Sequence, residues 1–306
     1  MSVTKKYGLY GVGLGAAVLG GITRQNLMTG TQIQSEATDG DVWARIQVLH
    51  AQKVAPGFTT LNAASALAAC GPLGANIANM AGGMILYLQQ HLAGGTRTTG
   101  GVHRSLAFSA GILAPKSLSV SHRQDANLSY EALLTSDGVN APVTISDVAA
   151  LPAAPADLER FTLGPATLAG VALGEKTSLQ LDFGIDVVGE SADGDIYDSF
   201  ASIRQVRTSI TLKGIDPTWF AAANVPLLGL HGTTANSTIY LRKRVPGGSF
   251  ASGANHICLT VSGILYCDEA VSVSGNDPSE TSVRMLLDFD GTNAPLTINT
   301  AANLPG

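Results

Sequence analysis

The sequence has few charged residues, few aromatic residues and few cysteines. Of its 306 residues, 13% are charged and 6% are aromatic, whereas 45% are hydrophobic. The charged fraction is roughly half of that in an average soluble domain, and the mean hydropathy is +0.22. We therefore expect a packed core, and a surface that either a membrane or protein partners cover in part.

The small numbers of basic residues and cysteines argue against a nonspecific nucleic-acid-binding protein and against a disulfide-rich scaffold. A net charge of −5 argues against sequence-independent binding of nucleic acid, which needs a basic stripe. Cys70, Cys258 and Cys267 are too few for a disulfide scaffold, and their spacing matches no metal site. The cysteines are therefore expected to be buried free thiols in a reducing compartment.

Two glycine-containing segments superficially resemble cofactor-binding loops. Gly11, Gly13 and Gly15 follow a GxGxG spacing, whereas a dinucleotide site needs GxGxxG framed by a strand and an acidic residue. In residues 174–177 (GEKT) a glutamate stands where a phosphate-binding loop needs Gly-Lys, and its carboxylate would repel a phosphate. We expect no cofactor.

The acidic residues and histidines form no recognisable metal or catalytic motif. Asp193, Asp195 and Asp198 fit only the first positions of a calcium-binding loop, and we interpret them as a solvated turn. No histidine stands in a zinc-protease pair or accompanies a GxSxG serine motif. His103 and His256 occupy equivalent places in the two halves, which favours a structural role. We expect no catalytic residue, no metal site and no enzymatic activity.

The two halves of the chain repeat each other. Residues 137–145 (DGVNAPVTI) align with residues 290–298 (DGTNAPLTI) at an offset of 153, as do His103 and His256. Further matches along the chain keep the offset between 152 and 154. One such match arises by chance, but a series at one offset indicates a tandem duplication.

The repeat predicts the domain boundaries. We expect a first unit at residues 1–152, a short proline-bearing linker at residues 153–158, and a second unit at residues 159–306. The apolar, glycine-spaced residues 7–27 have their counterpart in residues 161–179. We therefore interpret them as a strand or an extended arm of the unit, and not as a signal peptide.

Apolar residues mostly alternate with polar ones, which is typical of half-buried strands. The alternation predicts strands at residues 42–48, 196–206, 239–242, 257–266 and 282–289, with a turn at residues 246–249. Alanine-rich residues 60–69, followed by Gly71-Pro72, and residues 216–224, which begin with Asp-Pro, predict a helix in each unit. The expected fold class is mainly β with α: two tandem β-sandwich or barrel units, each with one packed helix.

Three segments of the second unit suggest a family. Residues 191–197 (SADGDIY) lead to residues 209–216 (SITLKGID), and an Asp-opened helix then runs to Leu-Leu-Gly at residues 227–229. This order resembles the tail tube proteins (major tail proteins) of long-tailed bacteriophages, here with an internally duplicated tube domain. Residues 58–71 of the first unit match the same pattern more loosely.

The resemblance implies a structural virion protein that self-assembles into stacked rings, which form the hollow tail tube for DNA passage. Two tube domains in one chain imply a homotrimeric, pseudo-hexameric ring. The implied partners are other copies of the chain and tail proteins such as the tape measure and terminator proteins. Viral DNA would pass through the lumen without specific binding, and no membrane is involved. The implied location is the virion tail, and the host cytoplasm during assembly.

The same reading implies that the glycine-rich N-terminal segment and residues 94–101 are flexible parts that become ordered when rings stack. Two alternatives stay open. One is a distal tail or baseplate hub protein built from two tube-like domains, present as one ring per particle. The other is a β-sandwich ligand-binding module, which would contain a concave pocket with convergent polar groups.

Overall fold

The computed structural model describes residues 5–91, 100–153, 159–192, 194–222, 224–275 and 279–305. Strands account for 57% of the residues and helices for 6%, which confirms the mainly-β class. Most of the predicted linker (residues 153–158), Asp193 and residues 94–99 of the glycine-rich loop lie outside the described residues.

The described part of the first half contains twelve strands and one α-helix. The helix α1 spans Ala63–Cys70. The strands are β1 (Lys6–Leu14), β2 (Ala17–Leu19), β3 (Ile22–Met28), β4 (Thr31–Glu36), β5 (Ile46–Gln52), β6 (Ala55–Thr60), β7 (Ala75–Asn76), β8 (Met84–His91), β9 (His103–Phe108), β10 (Gly111–Ser121), β11 (Asn127–Leu134) and β12 (Thr144–Ala149). A 3₁₀ turn spans Ile77–Asn79.

The described part of the second half contains ten strands and a 3₁₀ helix, Pro217–Ala221. The strands are β13 (Arg160–Leu168), β14 (Val171–Leu173), β15 (Lys176–Asp182), β16 (Ile185–Glu190), β17 (Phe200–Val206), β18 (Ser209–Gly214), β19 (His231–Arg244), β20 (His256–Ser272), β21 (Glu280–Leu287) and β22 (Leu296–Ala302).

The strands form two large antiparallel sheets and two separate hairpins. One sheet has the order β12-β9-β8-β1-β2, and β4-β5 and β16-β17 are the two-stranded hairpins. The largest sheet has the order β14-β13-β19-β20-β21-β18-β15-β10-β11-β6-β3, with β22 beside β20 and β7 beside β10. This sheet runs through both halves of the chain, which meet where β15 pairs with β10.

Strand pairing follows the same pattern in each half. β1 pairs with β2 and β8, and β13 pairs with β14 and β19. β3 pairs with β6, and β15 pairs with β18. The 17-residue strand β20 pairs with β19, β22 and β21. In the first half two strands make the corresponding pairs: β9 pairs with β8 and β12, and β10 pairs with β11.

The buried side chains form one continuous core that both halves share. In β11 every second residue is buried, as the two-residue period of a strand with one covered face requires. Leu118 and Leu128 of the first half and Leu181 and Leu212 of the second half are fully buried. Burial of such side chains in a shared core is the main favourable contribution to folding.

The prediction of one helix per unit is wrong for the second unit. Its helix is a single 3₁₀ turn, although Asp216 accepts a hydrogen bond from the Thr218 N–H at 2.9 Å and Pro217 occupies the first turn, as predicted. The turn inserts Trp219, which is 2% exposed, into the core. Pro226 disfavours a helical conformation at the buried Val225, so the chain leaves the helix early.

Two other sequence predictions need correction. The strands predicted at residues 42–48 and 196–206 begin only at Ile46 and Phe200, because the preceding residues form the loops of two hairpins. Of the two interpretations of the N-terminal glycine-rich segment, a strand or an extended arm, the strand is confirmed. The segment forms β1, paired with β2 and β8, and its Val12 is fully buried.

Candidate assembly interface

The junction between the two halves is a strand pair inside the main sheet. β10 and β15 run antiparallel, with Leu118 opposite Leu181 and Val120 opposite Leu179. All four side chains are at most 2% exposed. The junction therefore combines the hydrogen bonds of a sheet with a dry apolar layer, as the interior of a domain does.

The hairpin β16–β17 strengthens this junction because it reaches back onto the first half. Ile185 is 4% exposed, and Val187 packs against the core. In the hairpin loop, the backbone N–H groups of Ile196 and Tyr197 donate to the Gly138 carbonyl at 3.2 and 3.1 Å. This contact holds the loop against a turn of the first half.

The hairpin β4–β5 has the same place in the first half but no such cover. Ile33 is 64% exposed and Val48 is 54% exposed. In its loop, Val42 is 91% exposed and Trp43 is 84% exposed. Large apolar side chains exposed together on one element mark an interaction surface.

The open strand edges of the described residues include those of β3 and of the end of β20. β3 pairs with β6 on one side and with no strand on the other. Beyond Leu265, β20 pairs only with β21, and Val271 and Val273 are 64% and 61% exposed. An open edge presents unpaired backbone N–H and C=O groups to any strand that fits.

The structure places His103 and His256 in the same environment. Nδ1 of His103 accepts the N–H of Gln90 at 3.1 Å, and Nδ1 of His256 accepts the N–H of Lys243 at 3.0 Å. The two residues are 2% and 1% exposed. Burial lowers the pKa of His256, and the nearby cations Arg242 and Lys243 lower it further. A neutral imidazole that accepts a backbone hydrogen bond is what a structural role requires.

The cysteines are free thiols, and Cys70 and Cys258 are buried as predicted, whereas Cys267 is only half-buried. Burial raises the pKa of Cys70 to about 12, and the neighbouring Tyr130 hydroxyl opposes this shift. Because the thiolate is the reactive form, Cys70 is inert near neutral pH.

The glycine-rich segments have structural explanations. A Cβ at Gly13 would lie 3.2 Å from the Tyr87 ring, so this strand position needs a small residue. Glu175 and Lys176 form the turn into β15, where Glu175 has φ +41° and the Lys176 ammonium donates to the Leu173 carbonyl at 2.5 Å.

The acidic residues do not gather into a metal site. Asp198 is buried, and its Oδ2 has no hydrogen-bond partner, which is why burial raises its pKa. Nowhere in the described residues do three His, Cys, Asp or Glu side chains come together to hold a metal ion. Within the same residues, no helix combines the length and the apolar character needed to cross a membrane.

A cleft of about 660 Å³ lies beside the junction and is lined by cationic side chains. Arg242 and Arg244 face the Phe250 ring, with guanidinium carbons 5.1 and 5.9 Å from its centroid. The Arg242 Nε is buried without a hydrogen-bond partner. The described residues that line the cleft also include the cations Arg123 and Lys176, and none of them is a carboxylate.

Neither a protein-family model nor a curated protein sequence matches the chain. Alternation of apolar and polar residues did not predict which apolar residues are exposed, although the alignment of the two halves contains a signal for them. Ile33 aligns with Val187 at an offset of 154, and Val273 aligns with Val120 at 153. An apolar residue that is exposed in one half and covered in the other indicates a missing neighbour.

Proposed function

We propose that the chain consists of two tandem copies of one unit, and that it is a structural virion protein that self-assembles into stacked rings forming a hollow tail tube. One observation carries this proposal. In the hairpin β16–β17, Ile185 and Val187 of β16 pack onto the preceding unit of its own chain, although Phe200 of β17 is exposed. In β4–β5 neither strand is covered, and Ile33, Val42 and Trp43 are exposed. A further copy of the chain is the natural cover for the exposed hairpin.

The matching strand pairings of the two halves support the duplication. Each half contributes one hairpin and one open or joined sheet edge, so that each unit can contact the next in the same way. Repetition of a head-to-tail contact produces a ring when the rotation closes. Three chains of two units would give the pseudo-sixfold ring that the resemblance to tail tube proteins implies.

The composition supports the same role. A low charged fraction of 13% suits a subunit whose surface is covered by neighbours around and along a tube. A net charge of −5 suits a lumen along which DNA slides without adhering, because like charges repel. The proposed location is the virion tail, with assembly in the host cytoplasm and contacts to other tail proteins.

The proposal is tested by negative-stain electron microscopy and sedimentation of the purified full chain. We expect rings or tubes. The double variant Ile33→Asp/Trp43→Asp should stay monomeric with an unchanged melting temperature, because both side chains are exposed in the single chain. A matched control is Val148→Asp, on β12, where the side chain is 76% exposed away from the hairpin.

A wild-type chain that stays a dispersed monomer at high concentration would overturn the proposal. Isolated rings that never stack, with one ring per particle, would instead favour the distal tail or hub protein.

The cationic cleft favours a second candidate, a module that binds an anionic ligand. Its convergent Arg242, Arg244 and Lys176 and the unpaired Arg242 Nε are the specific observation behind it. Titration calorimetry with inorganic phosphate should then show binding that Arg242→Ala abolishes, and wild-type protein that releases no heat would exclude this candidate for phosphate.

A further inference from the structure

We propose that β3 of one copy pairs with the end of β20 in the next copy, in the antiparallel register by which β15 pairs with β10 inside the chain. The partner is thus a second copy of this chain. This inference rests on the proposed self-assembly and specifies which edges meet and how they are aligned.

The first step is that β3 is the counterpart of β15. β3 pairs with β6 with a register shift between Ile22 and Arg24. β15 pairs with β18 with the same shift, between Lys176 and Ser178. The shared irregularity places Asn26 in the position of Gln180, at an offset of 154. Both strands therefore present the same edge, which β10 covers for β15 only.

The second step is that the end of β20 is the counterpart of β10. The β10–β11 pairing shifts across Lys116, and the β20–β21 pairing shifts across Asp268 and once more between Glu269 and Ser272. After these shifts Ser119 lies opposite Asn127, and Ser272 lies opposite Glu280. Ser272 therefore stands in the position of Ser119, at an offset of 153.

The third step is that these positions differ in exposure as the proposal requires. The neighbours of Ser119, Leu118 and Val120, are at most 2% exposed where β10 is paired with β15. The neighbours of Ser272, Val271 and Val273, are 64% and 61% exposed. Pairing with β3 would place Leu27 against Val271, as Leu181 lies against Leu118.

The fourth step concerns the hairpin loop. Inside the chain, the Gly138 carbonyl accepts the N–H groups of Ile196 and Tyr197. The counterpart of Gly138 is Gly291, which has φ +90° and no atom within 4 Å of a Cβ built on it. The corresponding donors are Val42 and Trp43. In the next copy Trp43 would then lie beside the turn that follows Phe289, which is 60% exposed.

A second copy is favoured over any other occupant because each surface already has its complement in the chain. In the β10–β15 junction both strands of this contact are present. The open edges of β3 and of the end of β20 each correspond to one strand of it. Since the two surfaces differ, the contact is head-to-tail and leaves one of each free until a ring closes.

The test is a pair of cysteine substitutions on the full chain. In Asn26→Cys/Ser272→Cys the new thiols should face each other across two copies, and mild oxidation should give disulfide-linked dimers and trimers on a non-reducing gel. The matched control is Ser119→Cys/Gln180→Cys, whose positions pair inside the chain and should link without changing the chain's mass. Oxidised wild type, with its three native cysteines, gives the background.

A register control separates this pairing from random encounter. Asn26→Cys/Val271→Cys should not cross-link, because a shift of one residue places the second thiol on the other face of the sheet. Rings in the microscope without cross-linking of the 26/272 pair would overturn this inference and leave the proposed function standing. Cross-linking of the 26/271 pair to the same extent would overturn the register. Wild-type protein without rings, together with a variant without cross-links, would overturn both proposals.

Discussion

The two hairpins of this chain occupy the same place in their halves, yet one is packed along its first strand and the other is exposed along both strands. β16–β17 lies on the first half with Ile185 buried, whereas β4–β5 has Ile33 and Val48 more than half exposed. The difference does not come from their strand pattern, because both are antiparallel pairs that carry apolar residues. It arises because only β16–β17 has the other half of the chain before it.

The exposure of an apolar residue depends on which elements pack against it as well as on the local sequence around it. Val187 and Ile33 are aligned β-branched residues, and only Val187 packs against the core. A surface apolar cluster of this kind is easily taken for a defect of a single domain. In this chain the matching hairpin of the other half shows how such a cluster can be covered.

The largest expected effect contrasts the joined and the open edge. Leu181→Ala removes a fully buried side chain at the junction and should lower the free energy of unfolding by about 3 kcal/mol. Leu27→Ala, at the corresponding position of half-buried β3, should cost about 1 kcal/mol or less in the single chain. Denaturant unfolding at low protein concentration measures both, and equal costs would contradict the correspondence of the two edges.

The second contrast concerns the turns at Gly138 and Gly291. Both glycines have positive φ, at +84° and +90°, so an alanine costs about 1 kcal/mol at either turn. At Gly138 the new Cβ would also collide with the Asp195 carboxylate, whereas Gly291 has free space. We expect Gly138→Ala to lose about twice as much stability as Gly291→Ala. Thermal unfolding of the two variants at a protein concentration low enough to keep the chains separate would test this. A greater loss for Gly291→Ala than for Gly138→Ala would contradict the crowding at Gly138.

The third contrast uses Asp198, in the packed hairpin loop, whose counterpart in the exposed loop is Ala44. Burial raises the pKa of Asp198, and nearby Lys53 opposes the shift. Because the folded state holds the proton more tightly than the unfolded state, stability falls as the pH rises through the raised pKa.

Replacement of Asp198 by Asn should therefore stabilise the protein by about 1 kcal/mol at neutral pH. The gain should shrink as the pH falls and Asp198 becomes protonated. Unfolding curves at neutral and acidic pH provide the measurement, and a gain that does not depend on pH would exclude the charge as its cause.

The smallest effects concern the turns at Asp137 and Asp290, which should behave alike in the two halves. Oδ1 of Asp137 accepts the N–H groups of Val139 and Asn140, and Asp290 does the same in its own turn. These hydrogen bonds, with those from the Asn140 and Asn293 side chains, lower the pKa of both aspartates. Each contributes stability above its unfolded pKa that is lost as the pH falls through its folded pKa.

We expect Asp137→Ala and Asp290→Ala to lower the melting temperature slightly and to the same extent at neutral pH. Both deficits should disappear in acid. Scanning calorimetry of the two variants side by side provides the check, and a clear deficit in only one of them would show that the turns are not equivalent.

The sequence predicted those elements whose conformation depends on local pattern. The alternation at residues 239–242 and 257–266 lies within β19 and β20, and the predicted strand at 282–289 coincides with β21 to within two residues. The Asp216 cap is also as predicted. Two-residue periodicity and side-chain capping are local properties, so a single sequence is enough to recognise them.

The remaining features depend on contacts distant in sequence. The strand predicted at 42–48 begins at Ile46, because the N–H of Arg45 closes a hairpin loop by donating to the Glu36 carbonyl at 2.9 Å. The pairing of β10 with β15 and the environment of the cationic cleft are likewise set by tertiary packing. Local propensity does not identify such partners. Only the alignment of the two halves indicates which positions correspond to each other.

The β10–β15 junction also differs from any contact between chains in how it responds to dilution. The covalent connection keeps its two strands at a high effective concentration, which does not fall when the protein concentration falls. Dilution can therefore separate one chain from another, but it leaves this junction closed. In the proposed assembly, a chain separated from its neighbours would retain one complete copy of the contact.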